Sequence, residues 1–97
     1  MWILQSAGDP GADSFTFRIA PGAVKTVGRA PRADFVVDAP LVSRLHCRLT
    51  ANDTAVDIVD LDSTNGTYIN DQRVKSGCIQ SGDRLRIGRI EFTIAPA

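Results

Sequence analysis

The sequence predicts an all-β fold, a sandwich of mostly antiparallel strands. Apolar and polar residues alternate in short runs, and turn-forming residues separate those runs at brief intervals. Residues that favour helices are scarce, because ten of the eleven acidic residues are Asp and only two of the eleven basic residues are Lys. A chain of 97 residues, 43% hydrophobic, suits one modest core. We expect a single domain over residues 1–97, with its core at about 2–94, consistent with a module of a longer protein.

Four runs of alternating apolar and polar residues are predicted to be strands. They are Phe15 to Ile19, Leu45 to Leu49, Leu85 to Ile87 and Ile90 to Ile94. The last two are joined by Gly88-Arg89, a two-residue loop with Gly first, which is typical of a type II′ hairpin. The chain is therefore expected to close on an antiparallel pair.

A fifth strand is predicted at Ala55 to Leu61, where the alternation changes phase between Ile58 and Val59. A bulge or a twist near Asp57 to Val59 would account for the change. Turn-forming residues lie at Gly8 to Gly11, Pro21-Gly22, Pro31, Pro40, Asn52-Asp53, Asn65-Gly66, Asn70-Asp71, Gly77 and Gly82.

The formal net charge is zero, which argues against a general polyanion binder, since duplex nucleic acid is normally held by a broad basic surface. The charges are nevertheless uneven. One window holds Lys25, Arg29, Arg32, Arg44 and Arg48 against only Asp34 and Asp38, and the next, from Leu49 to Gln72, holds five Asp and no basic residue. If strands bring the first window together, we expect a small positive site for a ligand with one or two negative charges.

Cys47 and Cys78 are too few for a disulfide framework, and their spacing matches no paired metal motif. Both are expected to be small buried apolar residues. The N-terminal stretch does not resemble a secretory signal, and no apolar run approaches the length that spans a bilayer. We expect an intracellular protein, cytoplasmic or, in a eukaryote, nuclear.

Three polar segments offer the groups that a phosphate ester requires. They are Val27 to Arg29, Val42 to His46 and Asp62 to Thr67. In a sandwich, loops at one end of the sheets lie together even when they are distant in sequence. Together the three would supply guanidinium, hydroxyl and amide groups, which bind phosphate oxygens. The alternative is that the arginines are solvated surface residues and the third segment is only a turn.

These segments resemble the forkhead-associated (FHA) domain in order and spacing. The resemblance rests on Gly28-Arg29, on Ser43-Arg44-Leu45-His46 and on Ser63-Thr64-Asn65-Gly66-Thr67 followed by Tyr68-Ile69-Asn70. It covers the chain from about Trp2 to Ile94. It implies an eleven-stranded β-sandwich that recognises phosphothreonine in a partner protein through loops at one end, and a role in kinase signalling.

The resemblance also implies a role for each matching residue. Five residues are expected to bind the phosphothreonine or its main chain, namely Arg29, Ser43, Arg44, Thr64 and Asn65. Three are expected to support the binding loops, namely Gly28, His46 and Gly66. Asp62 and Ser63 are expected to hold their own loop through local hydrogen bonds. We also expect residues downstream of the phosphothreonine to be read by Asp71 to Ser76 and by Arg44.

Several other functions fit less well. Ser43 and His46 are three residues apart where a strand begins, so a catalytic pair is not expected. A calcium loop starting at Asp60 would need Gly where Asn65 stands. No row of aromatic residues accompanies the arginines, so a nucleic-acid partner is not expected. The alternative function is a protein scaffold that does not require phosphorylation. We expect no enzyme activity, no cofactor, no metal and no membrane partner, and a monomer.

Overall fold

The computed structural model describes residues 1–6 and 14–97, and within them it contains eleven strands. In chain order they are β1 (Trp2–Ser6), β2 (Thr16–Ile19), β3 (Val24–Gly28), β4 (Phe35–Val36), β5 (Cys47–Ala51), β6 (Val56–Asp60), β7 (Thr67–Ile69), β8 (Gln72–Val74), β9 (Ser76–Ile79), β10 (Arg84–Ile87) and β11 (Ile90–Pro96). The turn predicted at Gly8 to Gly11 lies outside the described residues.

The strands form two sheets. The six-stranded sheet has the order β2-β1-β11-β10-β7-β8, and the five-stranded sheet has the order β4-β3-β5-β6-β9. All pairings are antiparallel except that of β3 with β4, which is parallel. The predicted sandwich of mostly antiparallel strands is therefore confirmed.

The core lies between the sheets because alternate residues of each strand point inward. Leu4, Leu85 and Phe92 come from one sheet and Leu49 and Ile58 from the other, and all five are buried. At one edge the Phe17 ring stacks on the Phe35 ring with a centroid separation of 4.6 Å. This contact links β2 and β4, the edge strands of opposite sheets, and closes the sandwich along that side.

Two tight hairpins shape the six-stranded sheet. Ile87 pairs with Ile90 across Gly88-Arg89, and of these two residues only Gly88 has a positive φ, 57°. This confirms the predicted type II′ turn. Between β7 and β8, Asn70 and Asp71 both have positive φ, 48° and 69°, as a type I′ turn requires. Gly77, predicted to mark a turn, lies instead within β9.

The predicted bulge near Asp57 to Val59 is wrong. β5 and β6 pair without interruption, from Cys47 opposite Asp60 to Ala51 opposite Val56. Val59 is a half-buried residue on the outer face of the sheet, opposite Arg48. The apparent change of phase arose because a valine was counted as a core residue, although β-branched side chains also suit an outer sheet face.

The prediction of two buried cysteines is half wrong. Cys47 is buried on β5, and burial raises the pKa of its thiol to about 12. Cys78 is exposed, because on β9 it is Ile79 that points into the core.

Within the part of the chain that the structure describes, no helix is long and apolar enough to cross a membrane.

Candidate functional site

Three loops come together at one end of the sandwich. They comprise residues 29–34, 37–46 and 61–66. The Arg29 backbone N–H donates to the Ser43 carbonyl at 2.9 Å, which joins the first loop to the second. The Thr64 backbone N–H donates to Ser43 Oγ at 3.1 Å, and Asn65 Nδ2 donates to the Leu41 carbonyl at 3.1 Å. Ser43 therefore contacts both of the other loops, and the three form one surface.

The first two loops approach closely because residue 28 has no side chain. A Cβ atom built on Gly28 would collide with the backbone carbonyl of Arg44 and come within 2.9 Å of the Leu45 Cα. Gly28 has no unusual φ, so its role is to permit this close approach rather than to form a turn. The expected supporting role of Gly28 has a direct physical basis.

His46 braces the second and third loops from inside the protein. Its ring is fully buried, and Nδ1 accepts a hydrogen bond of 3.1 Å from the Ser43 backbone N–H. Because Nδ1 is the acceptor, Nε2 carries the proton and donates to the Gly66 carbonyl at 2.8 Å. The ring thus ties residue 43 to residue 66 and leaves neither nitrogen for another partner.

The 61–66 loop is organised around Asp60. Its carboxylate accepts from the Ser63 hydroxyl at 2.5 Å, from the Thr67 hydroxyl at 2.7 Å and from the Ser63 backbone N–H at 3.2 Å. Partial burial raises the pKa of Asp60, but these hydrogen bonds lower it by more, so its pKa lies below the ordinary value. Ser63 Oγ in turn accepts from the Gly66 N–H at 3.0 Å, where φ is 88°.

Asp60 was missing from the predicted supporting residues. Ser63 holds the loop as predicted, whereas Asp62 makes no side-chain hydrogen bond within the described residues and contributes a positive φ of 55°. Asp60 was also considered as the first ligand of a calcium loop. Its carboxylate instead accepts hydrogen bonds from the Ser63 and Thr67 hydroxyls, and residues 1–6 and 14–97 contain no cluster of three side chains that could hold a metal ion.

Between the loops lies an open cleft of about 540 Å³, within the range of roughly 300 to 1,000 Å³ usual for ligand sites. Four of the predicted site residues line it together, namely Arg29, Ser43, Thr64 and Asn65. Arg29 Nε donates to the Val42 carbonyl at 3.1 Å. In the described structure its two terminal nitrogens make no hydrogen bond or ion pair, so the planar end of the guanidinium is held in place and open to a ligand.

Arg44 lies beside this cleft. It lines an adjacent depression with Arg29, Ala30, Pro31 and Asp38. The two depressions share Arg29 and Asp38. Of the five basic residues in the predicted positive window, Arg29 and Arg44 border the site. Lys25 and Arg48 lie along β3 and β5, and Arg32, in the 29–34 loop, lines neither depression. The positive site thus contains fewer basic residues than the sequence window suggested.

Five residues of the cleft, at positions 38–42, were not among the predicted site residues, and Asp38 and Leu41 are two of them. In the charge pattern of the sequence, Asp38 was noted only as one of two acidic residues among the arginines. Leu41 is 46% exposed and has a φ of 70°, a conformation that bulky residues rarely adopt. The Asn65 side chain donates to its carbonyl, and the Leu41 backbone packs near Gly88. No local sequence signal indicates this conformation. The contacts of Leu41 are with Asn65 and Gly88, which are distant in sequence.

The fold and the cleft define a β-sandwich binding module whose ligand-facing groups lie on loops at one end. Residues 25–88 match the family model of the FHA domain, and the chain belongs to this family. It is 39% identical over 74 residues to the oxoglutarate dehydrogenase inhibitor of Corynebacterium efficiens. The matched residues cover 74% of this chain and 52% of that protein. The chain spans about half the length of the curated relatives it matches.

Solved structures agree with the family assignment. The FhaA FHA domain, crystallised in complex with the intracellular domain of Rv3910, superimposes with a TM-score of 0.83 and 28% identity over 98% of this chain and 100% of that one. A chain solved in a study of phosphothreonine-dependent FHA domain interactions gives 0.80 and 28% identity, covering 99% of this chain and 96% of that one.

Proposed function

We propose that this chain is a binding module that recognises phosphothreonine in a partner protein and acts in kinase signalling. The observation that carries the proposal is the shared cleft of Arg29, Ser43, Thr64 and Asn65, in which protein contacts position each residue and leave other polar atoms of its side chain without a partner among the described residues. Membership of the FHA family supports it, as does the similarity to a chain studied for phosphothreonine-dependent interactions.

The phosphate group would occupy the cleft against Arg29. A phosphothreonine carries nearly two negative charges and three acceptor oxygens at neutral pH. The terminal nitrogens of Arg29 match two of those oxygens. Ser43 Oγ accepts from the Thr64 N–H, which leaves its own hydroxyl proton to donate to the phosphate. The Thr64 hydroxyl supplies a further donor, and Arg44 approaches from the adjacent depression.

Asn65 would hold the main chain of the ligand. Its Nδ2 donates to the Leu41 carbonyl, which fixes the orientation of the amide. The Oδ1 acceptor and the second N–H then remain for a peptide N–H and a peptide carbonyl. The side chain thereby places the ligand backbone at a defined distance from Arg29. A preference for threonine over serine would come from burial of the extra methyl group, worth about 0.8 kcal/mol.

The module is proposed to act by binding and not by catalysis. Ser43 would need a base to become a nucleophile. The one nearby imidazole, His46, has Nδ1 bonded to the Ser43 backbone and Nε2 bonded to the Gly66 carbonyl, so neither nitrogen reaches Ser43 Oγ. The partner is proposed to be a phosphothreonine-containing protein or peptide, and the intracellular location remains a prediction.

The direct test is the titration of a phosphothreonine peptide, selected from an oriented library, against its unphosphorylated twin. We expect binding only with the phosphate, and Arg29→Ala should weaken it by about 2 to 5 kcal/mol, roughly 30-fold to several thousand-fold. Arg18→Ala is the matched control, because Arg18 is an exposed arginine on the edge strand β2, paired with Ile3. Equal binding by wild type and Arg29→Ala would place the phosphate elsewhere.

A further inference from the structure

Asp38 lines the same depression as the two arginines of the site. It lines the main cleft beside Arg29 and the adjacent depression beside Arg44. The side chain is exposed. Within residues 1–6 and 14–97 its carboxylate accepts no hydrogen bond, and no Lys or Arg nitrogen lies within 4.0 Å of it.

Among the other carboxylates at this end of the molecule, Asp62 lines neither of the two depressions, and Asp34 and Asp60 have structural partners. Asp34 accepts from the Thr26 N–H at 2.9 Å and from the Thr26 hydroxyl at 3.1 Å. Asp60 accepts from Ser63 and Thr67. Asp38 differs from both because no contact in the described structure assigns its charge a role in the fold. That charge also repels a bound phosphate, so on its own it weakens phosphate binding.

The charges of the site leave room for a cation once the phosphate is bound. Arg29 and Arg44 contribute two positive charges and Asp38 one negative charge, a sum of +1. A phosphate brings nearly −2, so the occupied site has a charge of about −1. The carboxylate next to the phosphate is then a favourable position for a positive side chain of the ligand.

We propose that Asp38 is a specificity-determining residue that pairs with a Lys or Arg side chain close to the phosphothreonine in the ligand. The inference rests on the proposed phosphothreonine binding and adds the charge of the neighbouring ligand residue. The same carboxylate discriminates against Asp, Glu or a second phosphate at that position, since like charges at short range are destabilising. The site thus recognises a negative and a positive group side by side.

The test uses peptides with the phosphothreonine core that binds the wild type and with Lys, Gln or Glu at each flanking position in turn. At one position the wild type should bind the Lys peptide about three- to tenfold more tightly than the Glu peptide. Asp38→Asn should bring this ratio close to one and leave the Gln peptide unchanged or slightly tighter. Asp38→Lys should invert the ratio. Asp62→Asn is the matched control, because it removes an exposed carboxylate from the 61–66 loop.

The outcomes separate three cases. An unchanged Lys-to-Glu ratio in Asp38→Asn overturns the inference and leaves phosphothreonine binding intact. Equal weakening of all three peptides also overturns it, because it indicates that Asp38 only positions the arginines. Absence of phosphate-dependent binding in the wild type overturns the proposed function itself, and this inference with it.

Discussion

Gly28 determines how closely two of the three binding loops approach. Its carbonyl accepts from the Val37 N–H at 2.8 Å, and its missing side chain lets the backbone of Arg44 and Leu45 pack directly against it. Any Cβ at this position meets backbone atoms, which cannot rotate away as a side chain can. The contacts of Ser43 with the first loop therefore depend on a residue that would itself touch no ligand.

Gly28→Ala is expected to destabilise the fold by about 1 to 3 kcal/mol through overpacking and to weaken phosphopeptide binding by displacing Ser43 and Arg44 from Arg29. Denaturant unfolding and peptide titration measure the two effects. Gly77→Ala is the control, because on β9 a new Cβ would meet only the flexible end of Ile69, at 2.9 Å. If both variants lose the same stability, the close approach at Gly28 is not the cause.

At the residue scale, the sequence predicted those positions whose identity has a single physical reason. Gly28 and Gly66 were assigned through the resemblance to the FHA domain, and each has one physical reason in the fold, a close backbone contact at Gly28 and a φ of 88° that favours glycine at Gly66. Leu41 and Asp38 could not be assigned. The left-handed conformation of Leu41 opposes its local preference, and the significance of Asp38 depends on which arginines the folded chain places beside it.

At the scale of one element, the 61–66 loop is stabilised by the ionised form of Asp60. Because the folded-state pKa lies below the ordinary value of about 3.9, folding favours the charged carboxylate. The stabilisation is complete above the unfolded-state pKa and is lost as the pH falls through the folded-state pKa. Protonation leaves one carboxyl oxygen a poorer acceptor for the donors of Ser63 and Thr67.

Asp60→Asn should reduce the free energy of unfolding by about 1 to 3 kcal/mol at pH 7, and the difference from wild type should shrink below about pH 4. Chemical denaturation at a series of pH values measures it. Asp62→Asn provides the control, because Asn also adopts the positive φ of 55° found there and the Asp62 side chain makes no hydrogen bond among the described residues. A difference for Asp60→Asn that stayed constant down to pH 2 would contradict the role of the charge.

Element prediction succeeded where one face of a strand is fully apolar and the turn residues are specific. β10 and β11 are examples, since their alternation and the Gly88-Arg89 turn are both local properties. It failed at Val59, where an apolar residue lies on the outer face of β6. Burial of a single valine depends on the neighbouring strand, which the local sequence does not specify.

On the scale of the whole molecule, the sandwich decides which charges act together. The turns between strands bring Arg29 and Arg44 to one end although they are fifteen residues apart in sequence. Lys25 and Arg48 belong to the same sequence window, yet they lie within the strands of the five-stranded sheet. The charge pattern alone could predict that a positive site exists but not which of the five basic residues form it, and it was the resemblance to the FHA domain that selected Arg29 and Arg44.

This arrangement has a measurable consequence for the whole domain. A protein with zero net charge and two arginines at its cleft should attract a phosphopeptide through few charge contacts. Binding should therefore weaken by less than about tenfold when the salt concentration rises from 50 to 500 mM. A surface that neutralises many phosphates along a nucleic-acid duplex would instead lose affinity by about a thousandfold or more over a smaller range of salt concentration.

Titration of the phosphopeptide and of duplex DNA at several salt concentrations compares the two kinds of binding. Tight duplex binding with a steep salt dependence would show a broad basic surface in place of the narrow site formed by Arg29 and Arg44.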